Sequence, residues 1–218
     1  MRIHDISPPI TPHIAVWPGD TPFSQDYLCR IDAGANLDLS TIHTTVHLGA
    51  HADGPYHYVA GGAGIGERPL DRYLGPCQVL EVSVAAGARI LPEDLAEPVT
   101  APRVLFRTGS FPDPDRWNTD FASLSPELVE HLAARGVVLV GIDTPSIDPF
   151  ADKVLLSHHA VARRDLAVLE GLVMTDVAPG LYTLVALPLR LLGADASPVR
   201  AVLLSDAPAP FSPALLKE

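Results

Sequence analysis

Apolar residues in this chain fall mostly into short runs that are bounded by glycine, proline or polar residues. Five runs have the length and the β-branched composition of buried strands: Gln78–Val84, Val104–Arg107, Val137–Ile142, Tyr182–Ala186 and Val199–Leu204. The 22 prolines and 16 glycines are spread along the chain. The pattern therefore favours many short elements joined by turns.

Two segments have the pattern of an α-helix. Ser125 is a good N-cap, Pro126 suits the first helical position, and Gly136 is expected to end this helix. A second helix is expected from about Ser157 to about Arg164, and Pro92–Leu95 is expected to form a short helical turn. Together with the strands, these segments predict an α/β domain with a mixed sheet and few helices.

Composition and charge exclude several classes of protein. The chain has 218 residues, 47% hydrophobic and 19% charged, so it can bury a sizeable core, and one domain over residues 1–218 is expected. The net charge of −11 disfavours nucleic acid and anionic lipid as partners. The most apolar stretch, Leu181–Leu192, contains Pro188 and Arg190 and is shorter than the ~20 residues that span a bilayer.

The cysteines and the N-terminus indicate a cytoplasmic protein. Cys29 and Cys77 are too few for a disulfide scaffold and are expected to be reduced thiols. The first thirteen residues contain prolines and an acidic residue where a signal peptide would need an apolar run.

Histidines are concentrated in one short segment. Four of the nine histidines and one aspartate fall within fifteen residues: His43, His47, His51, Asp53 and His57. All have odd numbers, so an extended chain would place them on one face. His47, His51 and Asp53 are candidate metal ligands, while His57 could be a ligand or an acid/base. The histidines expected to be surface or hydrogen-bonded residues instead are His4, His13, His43 and His131.

A straight strand cannot bring His47 and His51 to one metal ion. At ~3.3 Å per residue they would lie about 13 Å apart, whereas metal–nitrogen bonds measure only ~2.1 Å. The chain must therefore bend, and Gly49, Gly54 and Pro55 permit a bend. The same residues disfavour the helical arrangement of the zinc peptidases, whose motif glutamate is also missing here. We therefore predict a strand that runs into a tight loop with converging ligands.

The segment resembles the signature of the cyclase-like metal hydrolase family, His-x-Gly-Thr-His-x-Asp-x-Pro-x-His. Here it runs from His47 to His57, with Ala50 in place of the threonine. The Ala50 form is similar to the bacterial members that act on N-formyl-L-kynurenine. The likeness extends over nearly the whole chain, through Trp17–Phe23, Tyr73–Cys77, Gly141–Asp148, Leu169–Leu172, Ala186–Leu189 and Gly193–Arg200.

The resemblance implies a swivelling β/β/α (cyclase-like) domain with a mixed, partly barrel-like sheet, and a homodimer. It implies two divalent ions, usually Zn²⁺ with Mn²⁺ as an alternative, held by five ligands: His47, His51, Asp53, His158 and Glu170. His158 and Glu170 are assigned because they have the family's spacing of twelve residues, which the neighbouring His159 does not. His57 matches the family's catalytic acid/base, and Trp17 matches a residue that lines the substrate pocket.

The number of candidate ligands agrees with that implication. Five donors exceed the three that a single catalytic zinc normally takes from the protein. Two of the five are carboxylates, which can each bridge a pair of ions. Imidazole and carboxylate ligands suit zinc but leave manganese and iron open.

The implied reaction is hydrolysis of N-formyl-L-kynurenine to L-kynurenine and formate. The alternatives are a related amidase or lactam/lactone hydrolase of the same family, and a metal-binding module without catalysis. A serine hydrolase has no support, because Gly109-Ser110-Phe111 is not a nucleophile elbow. The glycine-rich segment 61–66 is expected to be a mobile loop rather than a phosphate site.

Four further residues are weaker candidates. Asp143 and Ser146 could orient metal ligands or cap a loop, two interpretations that the sequence does not separate. Phe23 and Tyr27 are weak pocket candidates that are expected to lie in the core.

Overall fold

A computed structural model describes residues 1–205 of the protein, and this part of the chain forms thirteen strands and two α-helices. The helices are α1 (Pro126–Ala133) and α2 (Leu156–Arg163). The strands are β1 (Arg2–Asp5), β2 (Ser24–Cys29), β3 (Leu39–His43), β4 (His51–Asp53), β5 (Leu74–Glu81), β6 (Arg89–Ile90), β7 (Arg103–Arg107), β8 (Ser123–Leu124), β9 (Leu139–Ile142), β10 (Ala167–Glu170), β11 (Gly180–Val185), β12 (Ala196–Pro198) and β13 (Val202–Ser205).

Nine strands form one curled, mixed sheet in the order β1-β13-β11-β5-β7-β9-β10-β4-β12. The neighbours from β5 to β10 are parallel, and the strands on both sides of them pair antiparallel. Within residues 1–205 the remaining strands form the pairs β2–β3 and β6–β8. The predicted fold class, a mixed and partly barrel-like sheet with few helices, is confirmed.

The parallel strands are buried on both faces, as such strands usually are. On β7, Val104 and Phe106 belong to the apolar cluster that contains α1 and α2, whereas Leu105 belongs to the cluster on the opposite face. This alternation follows from the two-residue period of a strand. It explains why these segments appear in the sequence as continuous apolar runs.

The predicted strands and helices are all present with small shifts of their ends. Ser125 caps α1 as expected, since its Oγ accepts a hydrogen bond from the N–H of Leu128 at 3.0 Å. Gly136 follows with a φ of +80°, which favours glycine. The segment Pro92–Asp94 is the expected short helical turn. Strands that the sequence pattern missed include β4 and β12, which have three residues each.

The β2–β3 hairpin differs from expectation. Phe23 is half-buried at its base, but Tyr27 is 45% exposed on β2, so placing Tyr27 in the core was wrong. Tyr27 and Leu28 are adjacent apolar residues on a strand, a pattern that suggests burial. Whether another layer covers the strand is a property of the tertiary structure.

No helix within residues 1–205 is long and apolar enough to cross a membrane. The expected single domain includes residues 206–218, which lie outside the described residues, and it stays a prediction.

Candidate metal centre and active site

The histidine-rich segment bends at Gly49, one of the three positions predicted to permit it. Gly49 has a φ of +54°, and a Cβ there would lie 2.9 Å from Cγ of Pro8. Gly171 has a φ of +65°, and a Cβ on it would lie 2.1 Å from the carbonyl oxygen of Gly49. The two backbones therefore touch at a pair of glycines. The prediction placed a strand before the loop. In the structure His47 lies in irregular chain, and strand β4 begins only at His51, after the bend.

Strand pairing joins the two distant stretches that carry the candidate ligands. Strand β4 pairs antiparallel with β10, and in this register His51 lies opposite Glu170. Glu170 ends β10, where it meets the carboxyl ends of the other parallel strands. Clefts at this end of a parallel sheet are the usual ligand sites of α/β folds.

Helix α2 supplies His158 and is anchored by a carboxylate from another segment. Leu155 enters the helix with a φ of +56° and offers no side-chain cap. The buried Asp148 replaces the cap by accepting hydrogen bonds from the N–H groups of Ser157 and His158, both at 3.0 Å. The same carboxylate accepts from Nδ1 of His158 at 2.8 Å. His159 is not part of this arrangement.

The five predicted ligands converge on one buried point. Asp53 Oδ1 lies 3.1 Å from His47 Nδ1 and 3.5 Å from His51 Nε2. Its other oxygen, Oδ2, lies 3.5 Å from His158 Nε2. Glu170 closes the group, with Oε1 at 3.3 Å from His158 Nε2 and Oε2 at 3.4 Å from His51 Nε2. Asp53 therefore belongs to two triads, one with His47 and His51 and one with His158 and Glu170.

The hydrogen bonds that His51 and His158 make on the side away from the cluster show which ring nitrogen carries the proton. His51 Nδ1 lies 2.8 Å from the carbonyl oxygen of Gly49, which can only accept, so Nδ1 carries the proton and Nε2 a lone pair. His158 has the same arrangement, with Nδ1 on Asp148. Both Nε2 atoms and both Asp53 oxygens are buried without a hydrogen-bond partner among the described residues.

Such a set of facing acceptors fits a cation. Lone pairs and carboxylate oxygens repel one another at these distances, and buried polar atoms without partners are costly. A divalent ion bound by imidazole nitrogen and carboxylate oxygen removes both costs, and these donors are the ones zinc and similar metals take. Metal-ligating histidines commonly donate their outer N–H to a carbonyl or a carboxylate, as His51 and His158 do.

The electrostatics of the cluster favour positive charge. Burial works against ionisation of Asp53, yet the imidazoles of His158 and His47 hold the pKa of Asp53 well below its usual range. Burial lowers the pKa of His47, but Asp53 and Asp195 outweigh it and raise that pKa to about 9. The pKa of His158 is raised by Asp148, Asp53 and Glu170 against the effect of burial. Without a metal ion, these raised pKa values favour a second proton on His47 and His158; a bound cation would take the place of those protons, and the surrounding carboxylates attract either.

His57 lies beside the cluster and contacts a carboxylate that sequence reasoning did not assign. Asp195 Oδ2 is 3.3 Å from His57 Nδ1 and 3.0 Å from His47 Nε2. Asp195 belongs to the segment Gly193–Arg200, which resembles the family but in which the sequence analysis assigned no functional residue. Asp148 was likewise part of a matching segment. For Asp143 and Ser146 the structure favours the second of the two interpretations, the capping of a loop. Asp143 accepts from the backbone N–H groups of Thr108 and Gly109, and Ser146 Oγ accepts from the N–H of Asp148.

A cavity of about 460 Å³ opens above the cluster. His47, His51, His57, His158 and Glu170 line its floor. Its walls are largely apolar and include Trp17, as predicted, and also Trp117, which sequence reasoning missed. The two indole rings pack edge to face with centroids 5.2 Å apart. The cavity thus combines an aromatic wall with a cation-binding floor.

This combination of fold, cluster and cavity defines a metal-dependent hydrolase of the cyclase type, and the comparisons with known proteins agree. The Cyclase family model matches residues 4–149. The chain belongs to this cyclase family. It is 48% identical over 204 residues to the kynurenine formamidases of Bordetella petrii and Bordetella pertussis, covering 93% of this chain and 97% of each relative.

Solved structures show the same fold. A potential metal-dependent hydrolase with cyclase activity superposes with a TM-score of 0.81 at 28% identity, covering 95% of this chain and 99% of the other. Isatin hydrolase A from Labrenzia aggregata superposes with a TM-score of 0.77 at 22% identity, covering 94% of each chain. The second likeness concerns the fold alone.

Proposed function

We propose that the protein hydrolyses the formamide bond of N-formyl-L-kynurenine, releasing L-kynurenine and formate, as a step of tryptophan degradation. One observation carries the proposal: four of the five candidate metal ligands line the floor of a cavity that is walled by Trp17 and Trp117, and the fifth, Asp53, contacts three of those four. The kynurenine formamidases that share 48% of their residues with this chain support this substrate.

We further propose that two divalent ions are bound, Zn²⁺ in the first place and Mn²⁺ as the alternative. His47 and His51 would hold one ion and His158 and Glu170 the other, with Asp53 shared. The support is the division of the cluster into two triads through the two oxygens of Asp53. Bound ions of this kind polarise a carbonyl oxygen and lower the pKa of a water molecule.

The protein's own residues provide the proton transfer. His57 lies at the cavity floor with Nδ1 on Asp195, which leaves Nε2 free. In the proposal, His57 Nε2 accepts a proton from the attacking water. It then returns a proton to the aniline nitrogen, which leaves poorly unless it is protonated. Trp17 and Trp117 offer aromatic surfaces to the ring of the substrate.

A chelator experiment with a substrate panel tests this function. Activity towards N-formyl-L-kynurenine should disappear with EDTA and return with Zn²⁺ or Mn²⁺. The panel contains N-formyl-L-kynurenine, simple formanilides and isatin-type lactams. A preference for a lactam would replace the proposed substrate by the alternative, a related amidase or lactam hydrolase. Full activity after removal of all metal would contradict metal dependence.

The expected homodimer and the cytoplasmic location are also proposed. The β2–β3 hairpin carries six exposed apolar side chains that a second copy would cover: Tyr27, Leu28, Ile31, Leu37, Leu39 and Ile42. Sedimentation of the wild type and of Leu28→Asp tests the dimer, which should weaken in the variant.

The proposed cytoplasmic location is supported by the cysteines. Both cysteines are free thiols, which is consistent with a reducing compartment.

A further inference from the structure

We propose that Asp195 is a positioning residue that holds the imidazoles of His57 and His47 in one orientation and one tautomer. This inference rests on the proposed function. The observation behind it is that a single oxygen, Asp195 Oδ2, lies within hydrogen-bond distance of His57 Nδ1 and His47 Nε2 at 3.3 and 3.0 Å. The two rings contact each other with centroids 4.3 Å apart and planes tilted by 47°.

A carboxylate can only accept, so both contacted nitrogens must donate. His57 therefore carries its proton on Nδ1, and its Nε2 keeps the lone pair that a proton acceptor needs. His47 donates from Nε2, which leaves Nδ1, at 3.1 Å from Asp53 Oδ1, as the ring nitrogen that would bind an ion of the cluster. Without Asp195 each ring would exchange between two tautomers, and only one of them serves the reaction.

The backbone of Asp195 is held in place by the histidine-rich segment itself. The N–H of Gly54 donates to the carbonyl oxygen of Asp195 at 2.7 Å, and the N–H of Ile65 donates to that of Ala194 at 2.9 Å. A Cβ on Gly54 would lie 3.1 Å from the Asp195 oxygen, and one on Gly66 would lie 2.6 Å from that of Leu191. The glycine-rich loop thus clamps the segment before Asp195. Gly62, Gly64 and Gly66 of this loop lie close to other backbone, and its expected mobility stays a prediction.

A different arrangement of these residues can be tested against this one. His47, His57 and Asp195 also lie close enough to share an ion. However, Nδ1 of His47 already faces the five-ligand cluster. An additional ion on Nε2 would leave this ring between two ions with no proton on either nitrogen, as an imidazolate. In the hydrogen-bonded arrangement His47 keeps its Nε2 proton and would give up only the Nδ1 proton to bind an ion of the cluster.

A double-mutant cycle with Asp195→Ala and His57→Ala tests the proposal on the zinc-loaded protein. Asp195→Ala should lower kcat by about 10–100-fold, the usual loss for a partner of this kind, while KM changes less than about 2-fold. In the His57→Ala background the same substitution should lower kcat by clearly less than in the wild type, because one of the two rings that Asp195 orients is then absent and only His47 remains. Asp195→Asn, which keeps one acceptor, should give an intermediate kcat. Asp176→Ala removes an exposed carboxylate as a matched control.

Metal content and ring tautomers supply readouts besides activity. Each variant should bind as much zinc as the wild type at saturation. Imidazole ¹⁵N shifts should show His57 protonated on Nδ1 in the wild type and mixed in Asp195→Ala. Additive kcat losses in the cycle, an unchanged kcat, or failure of Asp195→Ala to bind the wild-type amount of zinc at saturating concentrations would each overturn the proposal. If the wild type did not hydrolyse N-formyl-L-kynurenine, the function would fail while the tautomer result still decided the role of Asp195.

Discussion

The variant Asp148→Asn tests how much the hydrogen-bond partner of a candidate metal ligand, His158, contributes to metal binding while the ligand itself is kept. Asp148 is fully buried and accepts from Nδ1 of His158 at 2.8 Å and from the guanidinium of Arg89 at 2.7 Å. It also accepts from the backbone N–H groups that begin α2. An amide at this position has one acceptor instead of two and turns an NH₂ group towards other donors. Both the helix and the orientation of His158 should suffer.

The structure sets the size of both effects. Breaking a buried ion pair by removing one partner costs about 3–5 kcal/mol. Arg89 keeps its second partner, Asp152, at 2.5 Å, so we expect about 3 kcal/mol. For a chain of this length each kcal/mol lowers Tm by about 2–4 °C, which predicts a fall of about 6–12 °C. Loss of a ligand's outer partner typically lowers metal affinity by about 10–100-fold.

Thermal unfolding of the metal-free protein and zinc titration against a competing chelator measure the two effects separately. Asp152→Asn is the matched control, because Asp152 pairs with Arg89 but does not contact His158. It should lower Tm and leave zinc affinity within about 3-fold. If Asp148→Asn bound zinc as tightly as the wild type, or if both variants lost zinc equally, the reasoning would be refuted.

Three further predictions concern the reaction, the pocket and the backbone. His57→Ala should lower kcat by about 10²–10⁴-fold with unchanged metal content by atomic absorption; zinc loss would make His57 a ligand. Trp17→Ala should raise KM for N-formyl-L-kynurenine more than for a small aliphatic formamide in steady-state kinetics, and equal effects would remove Trp17 from the pocket. Trp117→Ala should also raise KM for N-formyl-L-kynurenine more than for the small formamide. Gly171→Ala should destabilise the fold by at least about 1–2 kcal/mol from its positive φ alone, measured by urea unfolding. An unchanged midpoint would contradict the close approach to Gly49.

Several parts of the site were predictable because their signals are local. The spacing of His47, His51 and Asp53 pointed to a metal, and the need for a bend pointed to Gly49, where the structure has it. The assignment of His158 and Glu170 depended on the family spacing, and both side chains lie in the cluster. Their roles as ligands stay predictions. Buried parallel strands such as β7 were visible as apolar runs.

Other features depended on contacts between distant segments. Strand β4 has only three residues, two of them polar, and it exists through its pairing with β10 and β12. Tyr27 was misplaced because strand alternation does not tell whether a second layer covers it. The surface or buried state of such a residue is decided by what packs against it.

The amino-acid sequence by itself determined the family, the α/β class and the set of donors that seek a metal, since residue type and spacing carry that chemistry. Only the tertiary structure decided which nitrogen of each imidazole faces the cluster and which carboxylates, Asp148 and Asp195, hold the rings. Those roles arise from hydrogen bonds between segments far apart in the chain, and no local pattern encodes the register that brings such segments together.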